Sequence, residues 1–257
     1  MTDLAAKAEA LRALHHGSAP LVLPNAWDVV SARMYEEAGF PAIATTSGGV
    51  AAVLGYPDGE VIPFAEMFEA VARIARAVSI PVTADLEAGY GLDPDGFISL
   101  VVDAGVVGFN HEDTDHSSGR MRDAGEQAAN IAAYKEAGRA HGMDVVLNAR
   151  VDVYLRRAGE DAQMLVEEAT ARARAYRDAG ADSVFPIFCS DENSIAAIVD
   201  GARTPVNILA HKAAPSIARL AELGVARITF GSGLMRDAAA HATQTAAGLL
   251  HGRYPWR

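Results

Sequence analysis

Short apolar runs of strand length recur along the chain, each followed by an alanine-rich stretch with helical spacing. The runs are Leu21–Asn25, Ala42–Thr46, Val82–Asp85, Val106–His111, Asp144–Asn148, Ser183–Pro186, Val206–Leu209 and Arg227–Phe230. The clearest helical stretches are Pro63–Val78, Pro94–Ala104, Glu126–His141, Asp161–Ala179, Pro215–Leu223 and Leu234–Leu249. Ala-Gly or Leu-Gly pairs close several helical segments, at Ala38-Gly39, Ala104-Gly105, Ala179-Gly180 and Leu223-Gly224. Glycine just past a helix end supplies the left-handed turn that returns the chain to the next strand. Eight strand–helix units in about 250 residues predict an α/β fold, the (β/α)8 TIM barrel. The unbroken apolar character of the strands fits a sheet covered by helices. A doubly wound open sheet is the alternative, and it has fewer strands as a rule. With no Pro/Ser-rich linker, charge block or low-complexity tract, residues 1–257 read as a single barrel domain, with residues 1–19 as an N-terminal helix.

In a barrel the active site assembles at the carboxyl ends of the strands, so the polar residues there matter most. The first run ends Asn25-Ala26-Trp27-Asp28, the second Thr45-Thr46-Ser47-Gly48-Gly49, and the third enters Asp85-Leu86-Glu87-Ala88-Gly89-Tyr90-Gly91. The fourth ends Asn110-His111-Glu112-Asp113 and the fifth Asn148-Ala149-Arg150-Val151-Asp152. The seventh yields Asn207 and then His211-Lys212, and the eighth gives Gly231-Ser232-Gly233. One polar residue per end is ordinary capping. Carboxylates ending two consecutive strands, with an arginine ending the next, are harder to explain that way.

Asp85 and Glu87 stand two apart, so on an extended strand end their side chains lean the same way. Glu112 ends the neighbouring strand, about 5 Å away in a parallel sheet. Three carboxylates that close repel one another unless they share a cation. Oxygen ligands without a cysteine cluster or paired histidines suit Mg2+ or Mn2+ rather than zinc. Helix capping, or pairing with Arg150, is the other reading of these acids. Arg150 offers a planar fork for an anionic substrate, with a structural salt bridge to Glu112 or Asp152 as its alternative. Asp58 lies in the turn Gly55-Tyr56-Pro57-Asp58, where aspartate often only shapes the turn. Trp27 and Asn207 are candidate substrate contacts by position, and core packing is the other reading of Trp27.

Composition narrows the partners. The net charge is −11 and no Lys/Arg-rich block exists, which excludes a nucleic-acid or anionic-membrane partner. No run reaches the roughly 18 apolar residues of a membrane span, and the first residues lack a basic-then-apolar signal pattern, so a cytoplasmic protein is expected. The single cysteine, Cys189, excludes an internal disulfide and reads as a packing residue.

The segment Asp85-Leu86-Glu87-Ala88-Gly89-Tyr90-Gly91 resembles the DxDxGYG segment of the isocitrate lyase/phosphoenolpyruvate mutase superfamily. Ser31-Ala32-Arg33 and Ser47-Gly48-Gly49 match in order, and Gly55-Tyr56-Pro57-Asp58 resembles the family's G-[LIY]-P-D turn. Phe109-Asn110-His111-Glu112-Asp113 is similar to its N-x-E-D strand, and Asn148-Ala149-Arg150-Val151-Asp152 to its N-A-R-x-D strand. The motifs run in order over about residues 20 to 235. The resemblance implies a Mg2+-dependent enzyme that breaks or forms a C–C or P–C bond next to an enolate of a small 2-oxo or 2-hydroxy carboxylate. It implies Asp85 as the direct metal ligand, with Glu87 and Glu112 holding the metal's waters. It implies Ser47, Gly48 and Gly49 as donors to the substrate carboxylate or oxo group. Arg150 would bind a substrate oxygen and Asp58 would position the reacting group or handle a proton. A homo-oligomer, dimer or tetramer, is expected as well.

Departures from the family pattern shape the expected chemistry. The second acid is Glu87 rather than the commoner Asp. The lyases' K-[KR]-C-G-H segment is replaced by Thr114-Asp115-His116-Ser117-Ser118-Gly119-Arg120, so the usual cysteine acid is missing. The mutase's lysine- and asparagine-bearing loop is missing too. After the sixth strand comes Phe185-Pro186-Ile187, where lyases often present a glutamate, which makes the pocket less polar. The chain is also shorter than typical members, which bears on the C-terminal helix that the family exchanges between subunits. The leading expectation is a C–C lyase on a small oxo- or hydroxy-dicarboxylate. The alternatives are an oxaloacetate-type decarboxylase and a P–C bond enzyme of the phosphonopyruvate hydrolase or phosphoenolpyruvate mutase type. A Schiff-base aldolase on Lys212, one of three lysines, and a non-catalytic binding subunit are the remaining readings. The loop from Thr114 to Gly125 is expected to close over ligand, with His116 and Arg120 best placed to reach it and His116 able to donate a proton. Gly231-Ser232-Gly233 either cradles a phosphate or only permits a tight turn.

Overall fold

The apolar runs become parallel strands in the expected order, in a computed structural model that describes residues 3–253. The strands are β1 (Leu21–Leu23), β2 (Asn25–Ala26), β3 (Ile43–Thr45), β4 (Val82–Asp85) and β5 (Gly108–Glu112). They continue with β6 (Thr114–Asp115), β7 (Arg120–Met121), β8 (Val146–Val151), β9 (Ser183–Pro186), β10 (Asn207–Leu209) and β11 (Arg227–Thr229). The first run is split because Pro24 has no N–H to give a ladder; its carbonyl still accepts from the Ala44 amide at 3.0 Å. β2-β3-β4-β5-β8-β9 form one parallel sheet and β1-β11-β10 another. The two sheets share the chain on either side of Pro24, and a parallel bridge between Val184 and Val206 joins β9 to the residue before β10. β6 and β7 pair antiparallel, so the loop after β5 contains a hairpin that the sequence did not announce.

Helices follow the strands. Phe64–Arg76, Pro94–Ala104, Ala124–Ala140, Ala162–Asp178, Ile217–Glu222 and Gly233–Leu250 match the expected stretches within a few residues. Val29–Glu37, Ser47–Leu54, Val153–Arg156 and Glu192–Ala202 are additional. The expected helix over residues 1–19 is shorter, Asp3–Leu14, because His15-His16-Gly17 turns away; residues 1, 2 and 254–257 lie outside the described residues. Phe64–Arg76 shows how the helices are held: Met67, Phe68, Val71, Ala72, Ile74 and Ala75 are buried on one face. At Gly105 the chain leaves Pro94–Ala104 with φ +78, and its amide donates to the Val102 carbonyl. One apolar cluster extends from Ala8 to Ile228, with Phe97, Phe109 and Tyr134 meeting edge to face at 5.0–5.6 Å. Helix Gly233–Leu250 is different: none of its residues is buried. Among the described residues no helix is long and apolar enough to cross a membrane.

Register sets the level of each polar side chain. Asp85 stands opposite Asn110, Asn110 opposite Asn148, and Asn148 opposite Ser183. Four adjacent parallel strands therefore present polar residues at one level, and these form a continuous ladder. Ser183 Oγ donates to Asn148 Oδ1 at 2.7 Å, Asn148 Nδ2 to Asn110 Oδ1 at 2.8 Å, and Asn110 Nδ2 to Asp85 Oδ1 at 3.2 Å.

Candidate active site

A cavity of about 730 Å³ opens above that ladder, at the carboxyl ends of the strands. Asn25, Thr46, Ser47, Gly48, Asp58, Asp85, Asn110, Arg150, Thr229 and Ser232 give it polar surface. Phe185, Ile187, Phe188 and Leu209 give it an apolar wall, and Lys212, Arg236 and Asp237 also line it.

The polar side is built from helix Ser47–Leu54, which leaves β3 without a loop. Thr46 caps it, accepting from the Gly49 amide and bonding Ser232 Oγ at 2.9 Å. The free amide of Ser47 points at Asp85, and both its N–H and its hydroxyl reach Asp85 Oδ2, at 3.1 and 2.9 Å. Both oxygens of Asp85 are therefore positioned by protein donors. The Ser47 hydroxyl also lies 3.3 Å from Asp58 Oδ1, and its single proton serves one carboxylate at a time. Asp58 reaches this place because residue 48 is glycine: a Cβ there would stand 2.8 Å from Asp58 Oδ2 and 3.0 Å from Ser232 Oγ. Burial, and then the charge of Asp85, push the Asp58 carboxyl above its usual range. Asn25 ties the floor together, donating to the Thr45 carbonyl and accepting from the Phe230 amide, each at 2.7 Å.

The expected trio of metal-binding carboxylates is divided. Glu87 does not lean with Asp85, because β4 ends at Asp85 and Glu87 has φ +54 in the left-handed region. Its buried carboxylate accepts from the Glu60 amide at 2.5 Å and the Tyr90 hydroxyl at 2.9 Å. Glu112 pairs with Arg150 Nη1 and, at 3.0 Å, with His116 Nε2. Among the described residues no three His, Cys, Asp or Glu side chains gather as a ligand set. Only Asp85 of the trio lines the cavity, beside Asp58. The acids still act on one another: burial first, then the charges of Asp85 and Glu112, raise Glu87 to about 8. Burial also lifts Glu112 to about 7 against the pull of Arg150.

Arg150 lines the cavity and is also held by the salt bridges that the alternative reading named. Its Nε and Nη2 grip Asp152 at 2.6 and 3.1 Å, and Nη1 pairs with Glu112. Three of five N–H groups are thus engaged, leaving two. Asp152 is anchored in turn by Thr114 Oγ1 at 2.5 Å, and its amide donates to Asp113.

Several expected contacts are placed elsewhere. His116 does not line the cavity; its ring is bound to Glu112 and stands 3.8 Å from Glu87, and the Glu112 bond raises its pKa. Its hairpin is organised by Asp115, which accepts from the Ser117 amide and the Ser117 and Ser118 hydroxyls. Trp27 packs edge-on to Tyr35 and touches Gly49 rather than the cavity; Gly49 is needed because a Cβ there would meet Thr46 Cγ2 at 2.5 Å. Asn207 is fully buried and bonded to Thr229, two residues below the cavity-lining Leu209. Lys212 is exposed at the cavity, whereas a Schiff-base lysine needs a desolvated setting. Cys189 is buried, and burial pushes its thiol up to about 12, as a packing residue requires.

Asn110, Asn25, Thr46 and Thr229 are site residues that sequence reasoning quoted or passed over without a role, and Ser232, read as a phosphate cradle or a turn, lines the cavity bonded to Thr46. The signal for Asn110 was its position opposite Asp85. Arg227 gave less warning. Two residues before the cavity-lining Thr229, it is wholly buried, and its one side-chain hydrogen bond among the described residues is Nη2 to Asn110 Oδ1 at 3.4 Å. Its Nε and Nη1 have no partner among the described residues, and burial lowers its pKa to about 9.

Comparison with known proteins places this geometry. Residues 11–250 match the family model described as phosphoenolpyruvate phosphomutase. A solved structure from Burkholderia cenocepacia J2315 is 42% identical, with a TM-score of 0.87 over 95% of this chain and 99% of that one. An oxaloacetate decarboxylase of Rhodopseudomonas palustris (strain BisB5) is 34% identical over 183 residues, 68% of this chain and 61% of the relative. The structure of 2,3-dimethylmalate lyase, described as a PEP mutase/isocitrate lyase superfamily member, is 30% identical with a TM-score of 0.83, covering 98% and 90% of the two chains.

Proposed function

The chain belongs to the phosphoenolpyruvate phosphomutase family, in the isocitrate lyase/PEP mutase superfamily of lyases and mutases, and from that premise we propose a specific reaction. It is a Mg2+-dependent lyase that cleaves a C–C bond of a small 2-oxo- or 2-hydroxy-(di)carboxylate through an enolate. The observation that carries the reading is that Asp85, Asp58, Ser47 and Arg150 share one cavity, with both Asp85 oxygens already positioned.

The donors fit a hard divalent cation. Asp85 and Asp58 offer carboxylate oxygens to the cavity, and Asp58 is raised in part by the charge of Asp85, a repulsion that a cation relieves. Asp85 would hold Mg2+ or Mn2+, with Asp58 beside it; Glu87 and Glu112, engaged by protein donors, would stand behind it. The cation supplies positive charge against the oxygen that becomes negative as the bond breaks. Arg150 does the same from the protein, through its two remaining N–H groups, and its fork is kept rigid by Asp152. Ser47 and the amide of Gly48 orient the substrate carboxylate. Asp58, with its raised pKa, takes the proton of a 2-hydroxyl during cleavage and can return it afterwards. His116 is no proton donor to substrate on this reading; it stiffens Glu112.

The same proposal includes a (β/α)8 barrel as one domain, which the shared first run and the Val184–Val206 bridge support. It includes a homo-oligomer, supported by the unburied helix Gly233–Leu250, and a cytoplasmic setting. Oxaloacetate-type decarboxylation, favoured by the Rhodopseudomonas relative, uses the same charge stabilisation and is the second reading. P–C bond chemistry, favoured by the family's name, is the third.

A panel of oxaloacetate, substituted malates, methylisocitrate and phosphonopyruvate, assayed with Mg2+ for pyruvate or glyoxylate release, separates the three. Release from none of them, or release undiminished by Asp58→Asn, refutes the proposal.

A further inference from the structure

The cavity is divided. Part of its lining, Phe185, Ile187, Leu209 and Phe188, has no hydrogen-bonding side chain, whereas His211, Lys212 and Arg236 line the cavity elsewhere beside the carboxylates and hydroxyls. Phe185, Ile187 and Leu209 form an apolar cluster separate from the main core. They are therefore packed for the cavity rather than recruited from the interior.

Phe188 adds an independent observation. The Cys189 amide donates to the Pro186 carbonyl at 3.1 Å, which puts Phe188 at the third position of a turn, and its φ is +64. Glycine or asparagine ordinarily fills such a position, because a β-carbon is strained there. Phe188 is nonetheless 45% exposed and lines the cavity, its ring edge-on to His211 at 6.0 Å. A bulky side chain kept in a strained turn and left half in solvent is poorly explained by packing. Presentation to a ligand explains it.

We propose that these four side chains form an alkyl subsite. The substrate is then a 2-oxo or 2-hydroxy acid whose third carbon carries a methyl or other short alkyl branch directed at this wall. A carboxylate laid against these four side chains would lose its water with no donor from them in exchange. This inference rests on the lyase reading for the orientation of the acid, whose oxygens are taken by the polar side.

The test is the affinity of a ladder of 2-oxo acids, from glyoxylate through pyruvate and 2-oxobutanoate to 3-methyl-2-oxobutanoate, measured by calorimetry with Mg2+. Oxalate serves as the reference that touches only the polar side. Each added carbon is expected to tighten binding about fourfold, the worth of one buried methylene. Phe188→Gly, which relieves the strained turn and preserves folding, should flatten the ladder while leaving oxalate affinity unchanged. A ladder that is flat in the unaltered protein, or no binding by any oxo acid, overturns the subsite. A steep ladder untouched by Phe188→Gly overturns it as well, since the alkyl group then lies elsewhere. Turnover is read separately: a steep, Phe188-dependent ladder without turnover sinks the lyase and supports the subsite, and turnover with a flat ladder does the reverse.

Discussion

Replacing Arg227 by methionine should make the protein more stable at neutral pH. The side chain is wholly buried, it has no carboxylate in contact, and two of its nitrogens lack partners among the described residues. The fall in its pKa from 12.5 to about 9 corresponds to a charge penalty of roughly 5 kcal/mol, at about 1.4 kcal/mol for each pH unit. Methionine fills similar space without that penalty, but it gives up the 3.4 Å bond to Asn110 and the attraction to Asp85. A net gain of about 1–4 kcal/mol remains, the range seen when buried charges are exchanged for apolar side chains. The sign with pH follows from linkage. Between pH 9 and 12.5 the unfolded chain binds the proton that the native Arg227 has released, so the stability of the unaltered protein rises with pH there. The advantage of Arg227→Met should therefore shrink by about 1 kcal/mol between pH 8 and 10. Urea unfolding of both proteins at these pH values measures it. A variant that is less stable by 3 kcal/mol or more, with a gap that ignores pH, would show that the buried charge is fully compensated and refute the reasoning.

Asp85→Asn should abolish Mg2+ or Mn2+ binding in the presence of oxalate, and calorimetry that finds unchanged affinity removes Asp85 as the ligand. Arg150→Lys should lower kcat by roughly a hundredfold and raise KM much less, because lysine cannot keep the grip on Asp152 while reaching a substrate oxygen; intact kinetics with a lower Tm would make the arginine purely structural. Gly48→Ala forces a methyl within 2.8 Å of Asp58 Oδ2, so turnover should fall at least tenfold on the best substrate of the panel, with only a few degrees lost in Tm. Burial, and then Arg227, hold His15 down at about 4. Below pH 6.5 the unfolded state binds the proton and the native state resists it, so the protein should lose about 2 kcal/mol between pH 7 and 4.5, a loss that His15→Gln removes from the urea titration.

The strands and long helices were legible because their apolar spacing is set by burial, and Val82–Asp85 and Ser183–Pro186 fall on the expected residues. Helix Ser47–Leu54 was hidden, since Ser-Gly-Gly reads as a turn until Thr46 is seen to cap it. The acids Asp85 and Asp58 were found at the cavity. Glu87 was misjudged because alternation holds only while the backbone stays extended, and the strand ends two residues earlier. Asn207 was placed at a strand end when it sits a level deeper, and His116 was aimed at substrate when Glu112 claims it. These errors share a cause. Sequence gives the neighbours along the chain, whereas the partner of a polar side chain is chosen across the sheet.

The ladder from Ser183 to Asp85 has a direction. Every donor in it points the same way, from Ser183 to Asn148, to Asn110, to the carboxylate. Asn110 cannot turn over, because reversal would set its oxygen against Asp85 on one side and its N–H against that of Asn148 on the other, and Asn148 cannot follow without setting its oxygen against that of Asn110. The carboxylate, which can only accept, thus fixes Asn110, Asn110 fixes Asn148, and the hydroxyl of Ser183, three strands from Asp85, closes the chain by donating to Asn148. A change at residue 183 or 148 is in this sense a change at Asp85 Oδ1, made without touching the cavity.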